Sequence, residues 1–209
     1  MFFQTVRVSY RSIYFSAHIV TAVLICIVLP LLLEHNWFNT KKGKALTQWW
    51  SRRAINILGL NITQQGEPFK STSLIVANHI SFLDIIVIAS SSPVIFLAKS
   101  TLRYWPFIGF IANRIGTVFI KRNNKREVLI ISKSLTKALK QKQSLVLFPE
   151  GTTTPGRTVK KFHPSLFQAA ISAGKPVQPV ALHYKRNGEV DNIAAYVNND
   201  NFIINLIKQ

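Results

Sequence analysis

Cysteine is almost missing from this chain: Cys26 is the only one in 209 residues. An intrachain disulfide and a multi-cysteine zinc site are both excluded. Cys26 lies in an apolar stretch, where a thiol packs rather than attacks. One unpaired cysteine fits a reducing compartment. Acid is scarce as well, 8 Asp+Glu against 26 Lys+Arg, for a net charge of +18. Such a chain seeks polyanions: nucleic acid, anionic lipid headgroups or phosphorylated substrates. Neither a zinc-finger spacing nor an RNA-recognition aromatic motif occurs, so no nucleic-acid partner is expected. No Gly-x-Ser-x-Gly elbow is present, which argues against an acyl-serine intermediate. There is no internal repeat and no low-complexity tract. Apolar residues are plentiful at 48%, enough for one domain core plus an appendage.

Residues 12–33 contain no Asp, Glu, Lys or Arg. As a helix this run of 22 residues extends ~33 Å, about the hydrocarbon thickness of a bilayer. It is long for the core of a signal peptide, and no convincing small-x-small cleavage site follows. A retained membrane segment is expected, with Pro30 a possible kink. Arg7 and Arg11 precede it; Lys41, Lys42, Lys44, Arg52 and Arg53 follow. If the segment spans, that excess places the downstream chain in the cytoplasm. From Leu46 to Leu58 an amphipathic stripe carries Leu46, Trp49, Trp50, Ala54, Ile57 and Leu58. Paired tryptophans beside arginines suit a helix lying in the headgroup layer; the plainer alternative is a core-facing helix. Residues 1–65 thus read as membrane-anchoring helices and 66–209 as the main domain.

In the main domain apolar runs of strand length alternate with helical ones. Strands are predicted at Leu74–Ala77, Val94–Ala98, Thr117–Ile120, Leu145–Phe148 and Val177–Leu182. Helices are predicted at Phe82–Ser90, Thr101–Asn113, Lys125–Gln141 and Pro164–Ala173. This alternation implies an α/β fold, a mostly parallel sheet flanked by helices.

The handover from the first strand to the first helix reads Asn78-His79-Ile80-Ser81-Phe82-Leu83-Asp84. A histidine and an aspartate at the carboxyl end of a strand stand where α/β proteins gather ligands. The same residues also make an ordinary capping box, with Ser81 as cap and Asp84 reaching back from the first turn. Two further stretches end strands in polar groups. Gly116-x2-Phe119-Ile120-Lys121-Arg122 ends in two cations, and Phe148-Pro149-Glu150-Gly151-Thr152 runs into a tight turn. An exposed Gly151 N–H, the Thr152 hydroxyl and the charge of Lys121 or Arg122 can together hold a phosphate. The plain alternatives are a solvated strand end and a simple turn. Glu150, out of place beside a phosphate, can fix the arginine or accept from a substrate hydroxyl. His79, Asp84, Glu150 and His163 lack any tight metal-ligand spacing, so no metal is expected.

Over roughly residues 70 to 185 the sequence resembles the glycerolipid acyltransferases of the 1-acyl-glycerol-3-phosphate type. The resemblance rests on four blocks in order: Asn78-His79-x4-Asp84, Gly116-x2-Phe119-Ile120-x-Arg122, Phe148-Pro149-Glu150-Gly151-Thr152, and Val177-x-Pro179-Val180. Lys99-x2-Leu102 and Trp105-Pro106-Phe107-Ile108-Gly109 also look like that family. Any one block is weak, whereas four in register are strong. The resemblance implies His79 and Asp84 as the catalytic pair, with Lys99, Lys121, Arg122, Glu150, Gly151 and Thr152 binding substrate. It implies lysophosphatidate as acceptor, acyl-CoA or acyl carrier protein as donor, and no cofactor beyond that co-substrate. Departures are Thr153 and Thr154, where many members place Arg or Ser, and Lys161-Phe162-His163-Pro164, where many have Phe-Lys followed by Gly. Lys160, Lys161 or Arg157 can substitute as phosphate ligands. Members usually continue for tens of residues past the equivalent of Tyr196-Val197, so a final helical portion is expected to be missing here.

The implied chemistry suits the residues. Acyl transfer to an alcohol needs a base for the hydroxyl proton, and histidine titrates near working pH. Asp84 would fix the imidazole tautomer, as in a triad whose serine is replaced by the substrate's own hydroxyl. Two other expectations stay open: an acyltransferase for another acceptor such as a lyso-ornithine lipid, and a non-enzymatic basic module for membrane surfaces or nucleic acid.

Overall fold

A computed structural model describes residues 2–33, 37–121, 125–186 and 188–191. Arg122 lies outside the described residues. Five strands, β1 (Leu74–Ala77), β2 (Ile95–Lys99), β3 (Val118–Ile120), β4 (Leu145–Leu147) and β5 (Val177–Val180), form one sheet in the order β3-β2-β4-β1-β5. Every neighbouring pair is parallel. Parallel strands are covered on both faces, which is why these segments read as unbroken apolar runs.

The strand period of two divides the core. Leu74, Val76, Ile95, Leu97, Leu145 and Leu147 face α5 (Lys125–Lys140) and α6 (Gln168–Ala173), which supply Ile131, Leu135, Leu139, Ala169 and Ala170. Ile75, Ala77, Phe96, Val146 and Phe148 face the other way, toward Ile88 and Ala89 of α3 (Leu83–Ser91). Each buried Leu or Ile contributes roughly 1.5–3 kcal/mol. A short antiparallel pair, β6 (Lys185–Arg186) and β7 (Glu189–Val190), follows the sheet.

The helix predicted over Thr101–Asn113 is interrupted. A 3-10 turn covers Ser100–Tyr104 and α4 covers Ile108–Arg114. The break falls at Pro106, which has no N–H for a helical bond, and at Phe107, whose φ of 59° leaves the right-handed region. Pro164–Ala173 likewise opens as a 3-10 turn, Pro164–Phe167, before α6.

Two N-terminal helices complete the fold. α1 spans Phe2–Leu32, and its Tyr10–Leu32 portion is long and apolar enough to cross a bilayer. Ile13, Val20, Leu24, Leu31 and Leu32 face outward, Leu31 with 80% of its surface exposed. A bare apolar face of that size marks an interaction surface. α2 spans Lys41–Leu58, capped by the Thr40 hydroxyl at one end and by Gly59 in the left-handed conformation at the other. Much of its stripe is covered by protein. Ala54 and Leu58 are buried with Phe15 of α1 and Leu83 of α3, and Trp50 packs against that cluster. Trp50 also stacks on His18 at 4.4 Å, its indole N–H donating to the His18 carbonyl while the imidazole meets the Trp50 carbonyl. Only Trp49 of the pair is exposed. α1 and α2 thus share an apolar cluster with α3, across the boundary expected at residue 65. The core-facing reading of this stripe won because α3 offers it an apolar partner.

Candidate active site

All five strands run the same way, so their carboxyl ends share one sheet edge. Val76 of β1 pairs with Leu147 of β4. Three residues onward along each chain, His79 and Glu150 stand side by side, and the His79 N–H donates to Glu150 Oε1 at 2.8 Å. Lys99 ends β2, paired with Ile120 of β3, and Lys121 follows. With strands ~4.8 Å apart, Lys99 lies ~10 Å and Lys121 ~14 Å from the His79 strand, measured across the sheet. Both lysines are exposed.

His79 and Asp84 touch. Nδ1 lies 2.7 Å from Asp84 Oδ2, with 20% of the histidine side chain exposed and none of the aspartate's. The same oxygen accepts from the Ile80 N–H at 2.7 Å and the Ser81 N–H at 3.0 Å. Asp84 thus does reach back across the start of α3, where the positive helix end favours a carboxylate. The capping box is only half made: Phe82 is the cap residue, without a side-chain bond, and the buried Ser81 Oγ has no partner among the described residues. The aspartate's loop contacts and its hold on the imidazole are one arrangement. The cap-like geometry and the catalytic one coexist.

Asp84 Oδ1 accepts from the Tyr184 hydroxyl at 2.7 Å. Ala77 pairs with Val180, so four residues onward along each chain Ser81 and Tyr184 reach the same level. Burial, then the Asp84 charge and hydrogen bond, hold the Tyr184 hydroxyl above its ordinary pKa of about 10. It stays a protonated donor throughout the working range. Sequence reasoning missed this residue, which lies 100 positions from its partner; its place just past the fourth block was the only signal. Phe148 does more than end a strand: its ring stacks on the imidazole at 4.0 Å and 15°. Asn78 exchanges two hydrogen bonds with the Leu182 backbone and ties β1's end to the segment carrying Tyr184.

With Nδ1–H donating to Asp84, the basic lone pair lies on Nε2. Among the described residues no group hydrogen-bonds to Nε2. The imidazole is oriented, partly exposed and equipped to take a proton from a bound hydroxyl.

Two expectations at the third block need correcting. Glu150 is buried, and its oxygens accept from the backbone N–H groups of His79 and Lys160, at 2.8 and 2.7 Å. It fastens two loops rather than presenting itself to substrate or to an arginine. The Gly151 N–H is likewise not offered outward; it closes a turn onto the Phe148 carbonyl at 3.1 Å. Pro149 at the second turn position and Gly151 at the fourth suit that turn. Thr152 is exposed. Thr154 is buried, its N–H and hydroxyl both donating to the His79 carbonyl at 2.8 and 3.3 Å. Arg157, Lys160, Lys161 and His163 follow on the exposed part of this loop.

A family model described as Acyltransferase matches residues 55–183, from α2 to the segment before Tyr184. The chain belongs to the Acyltransferase family. A lyso-ornithine lipid O-acyltransferase of Pseudomonas aeruginosa is 37% identical over 167 residues, covering 80% of this chain and 64% of that protein. A 1-acyl-sn-glycerol-3-phosphate acyltransferase of Neisseria gonorrhoeae is 36% identical over 127 residues, 61% of this chain and 50% of its own length. The chain thus spans about half to two thirds of these two relatives. The crystal structure of the 1-acyl-sn-glycerophosphate (LPA) acyltransferase PlsC from Thermotoga maritima shares the acyltransferase fold, with a TM-score of 0.63 at 22% identity over 83% of this chain and 73% of that one. The parallel sheet with helices on both faces is therefore a fold shared with a solved acyltransferase.

Proposed function

We propose that this chain is a membrane-bound O-acyltransferase that moves an acyl group from a thioester, acyl-CoA or acyl carrier protein, to the free hydroxyl of 1-acyl-glycerol-3-phosphate, giving phosphatidate. The observation that carries the reading is the 2.7 Å contact of His79 Nδ1 with a fully buried aspartate. His79 Nε2 takes the hydroxyl proton as the oxygen attacks the thioester carbonyl. The tetrahedral intermediate collapses, the C–S bond breaks, and the thiolate leaves and recovers a proton from the imidazolium. No cofactor is needed beyond the donor. Lys99 and Lys121 on the same sheet edge, with the basic loop at 157–161, suit a phosphate headgroup. The site's two buried carboxylates, Asp84 and Glu150, are engaged by protein donors. α1 moors the enzyme to the membrane; if that helix spans, the excess of cations after it favours a catalytic domain on the cytoplasmic face. The +18 charge holds it against anionic lipid and attracts an anionic donor.

A second reading, acylation of a lyso-ornithine lipid, is favoured by the relative from Pseudomonas aeruginosa. The two differ in headgroup: a phosphate needs cations alone, whereas a zwitterionic headgroup also needs an acceptor for its ammonium. Membranes carrying the chain, given each lyso-lipid with each donor type, would separate them by product. Phosphatidate as the main product supports the first reading. Ornithine lipid alone would replace it with the second, and no acyl transfer to any lyso-lipid would sink both.

A further inference from the structure

Between Asp84 and Glu127 the chain has no acidic residue and seven Lys or Arg. In the middle of that stretch Tyr104, Trp105 and Phe107 project from the surface, 82%, 38% and 62% exposed. Three neighbouring aromatics in water are costly for a soluble surface and natural at a lipid interface, where amphipathic rings sit at headgroup level. The protein braces the loop that presents them. Phe107 sits at φ 59° and ψ −56°, a strained conformation for a residue with a Cβ. It centres a γ-turn closed by the Ile108 N–H on the Pro106 carbonyl at 2.6 Å. Gly109 lets the 3-10 turn and α4 meet, since a Cβ there would collide with the Arg103 carbonyl. The Arg103 guanidinium lies 5.6 Å over the Phe119 ring. Strain held by surrounding structure at an exposed aromatic tip points to function rather than packing.

We propose that the Tyr104–Phe107 knuckle is a second membrane-docking element, inserted into the headgroup region of an anionic bilayer, with the basic charge of the surrounding stretch drawing it to lipid phosphates. Charge complementarity selects the occupant, because the surrounding stretch offers only cations. Continuity supports it, because α4 continues from the knuckle and packs against α1, the helix that exposes an apolar face. The knuckle follows β2, so it rises from the same sheet edge as His79. Docking it would hold the mouth of the site at the bilayer surface and keep the chain from swinging about α1 alone. The inference rests on α1 being seated in the membrane, not on the identity of the acceptor.

The test is spin-label depth measurement on the full chain in vesicles. In a Cys26→Ala background, nitroxide is placed by Tyr104→Cys, by Leu31→Cys on α1, or by Ile171→Cys on the exposed surface of α6. Collision with oxygen against a water-soluble nickel chelate reports depth. The label at 104 should sit within ~5–10 Å of the headgroup boundary, deeper in vesicles containing phosphatidylglycerol than in pure phosphatidylcholine, while the label at 171 stays aqueous. A water-exposed label at 104 with a lipid-embedded label at 31 would overturn the proposal and leave the anchor intact; both labels in water would overturn the two together. Equal depth in the two vesicle types would remove anionic lipid as the occupant. Screening from both reagents would indicate a second copy of the chain on the knuckle and overturn lipid docking. Phe107→Gly gives an independent readout, since it relieves the strained φ while deleting the anchor. Its melting temperature should hold or rise as the label at 104 moves toward water, and an unchanged depth counts against the proposal.

Discussion

Replacing Tyr184 by Phe isolates one interaction. The ring remains in its cluster with Phe15, Ala54, Leu58 and Leu83, and only the hydroxyl that donates to Asp84 Oδ1 at 2.7 Å disappears. Among the described residues the other donors to this carboxylate, His79 Nδ1 and the N–H groups of Ile80 and Ser81, all meet Oδ2. The variant therefore leaves Oδ1 of a fully buried charge without its tyrosine donor. Hydrogen bonds to charged groups contribute ~1.5–3 kcal/mol. If that loss reaches the transition state, turnover falls by roughly 10- to 150-fold, at a factor of ten per ~1.36 kcal/mol. Because the Oδ2 donors still orient the aspartate, the lower end is expected. Steady-state assay with a lyso-lipid and an acyl thioester should show kcat reduced by about tenfold with both KM values near wild type. A variant that melts normally and turns over at the wild-type rate would refute a positioning role for Tyr184. The same substitution has a pH signature. The folded protein holds this hydroxyl above its ordinary value of about 10, so between that value and the higher folded one the native state retains a proton that the unfolded chain loses. The resulting stability is complete below pH ~10 and declines as pH rises beyond it. Melting curves above pH ~10 should fall more steeply for wild type than for Tyr184→Phe.

Three further outcomes are expected. Glu150→Gln removes the charge that binds the N–H groups of His79 and Lys160, and should lower stability by ~1.5–3 kcal/mol; an unchanged melting temperature would show that the two loops hold without it. Leu139→Ala, at a fully buried position between α5 and the sheet, should cost ~2–5 kcal/mol without altering kcat per folded molecule. Lys121→Ala should raise KM for an anionic acceptor roughly two- to fivefold, the scale of an exposed charge contact. That difference should vanish near ~1 M salt, and a neutral acceptor should show none.

Local pattern made some features legible and topology kept others hidden. β1 is recovered at its predicted bounds, Leu74–Ala77, because a strand covered on both faces must be apolar throughout. The His79–Asp84 pair was legible because five residues across a strand-to-helix turn bring the side chains together whatever the rest of the chain does. Glu150 was misread because its partner is fixed by the register of β1 on β4, 71 residues apart. Tyr184 was hidden for the same reason through β5. The break in the helix at Thr101–Asn113 was written in Pro106, but apolar spacing across it outweighed that signal. The stripe on α2 was traced with two partners in view, headgroup layer and core, since sequence shows an apolar face without showing what covers it. Arg122, expected to bind substrate, lies outside the described residues.

The central claim is that the imidazole at position 79 performs the proton transfer. Purified full-length His79→Ala, checked for native melting and membrane insertion, should be assayed in vesicles with labelled acyl thioester and lysophosphatidate. Acyl transfer should drop by roughly 10²–10⁴-fold, the contribution of a positioned base. Turnover at the wild-type rate by the folded variant would contradict the account.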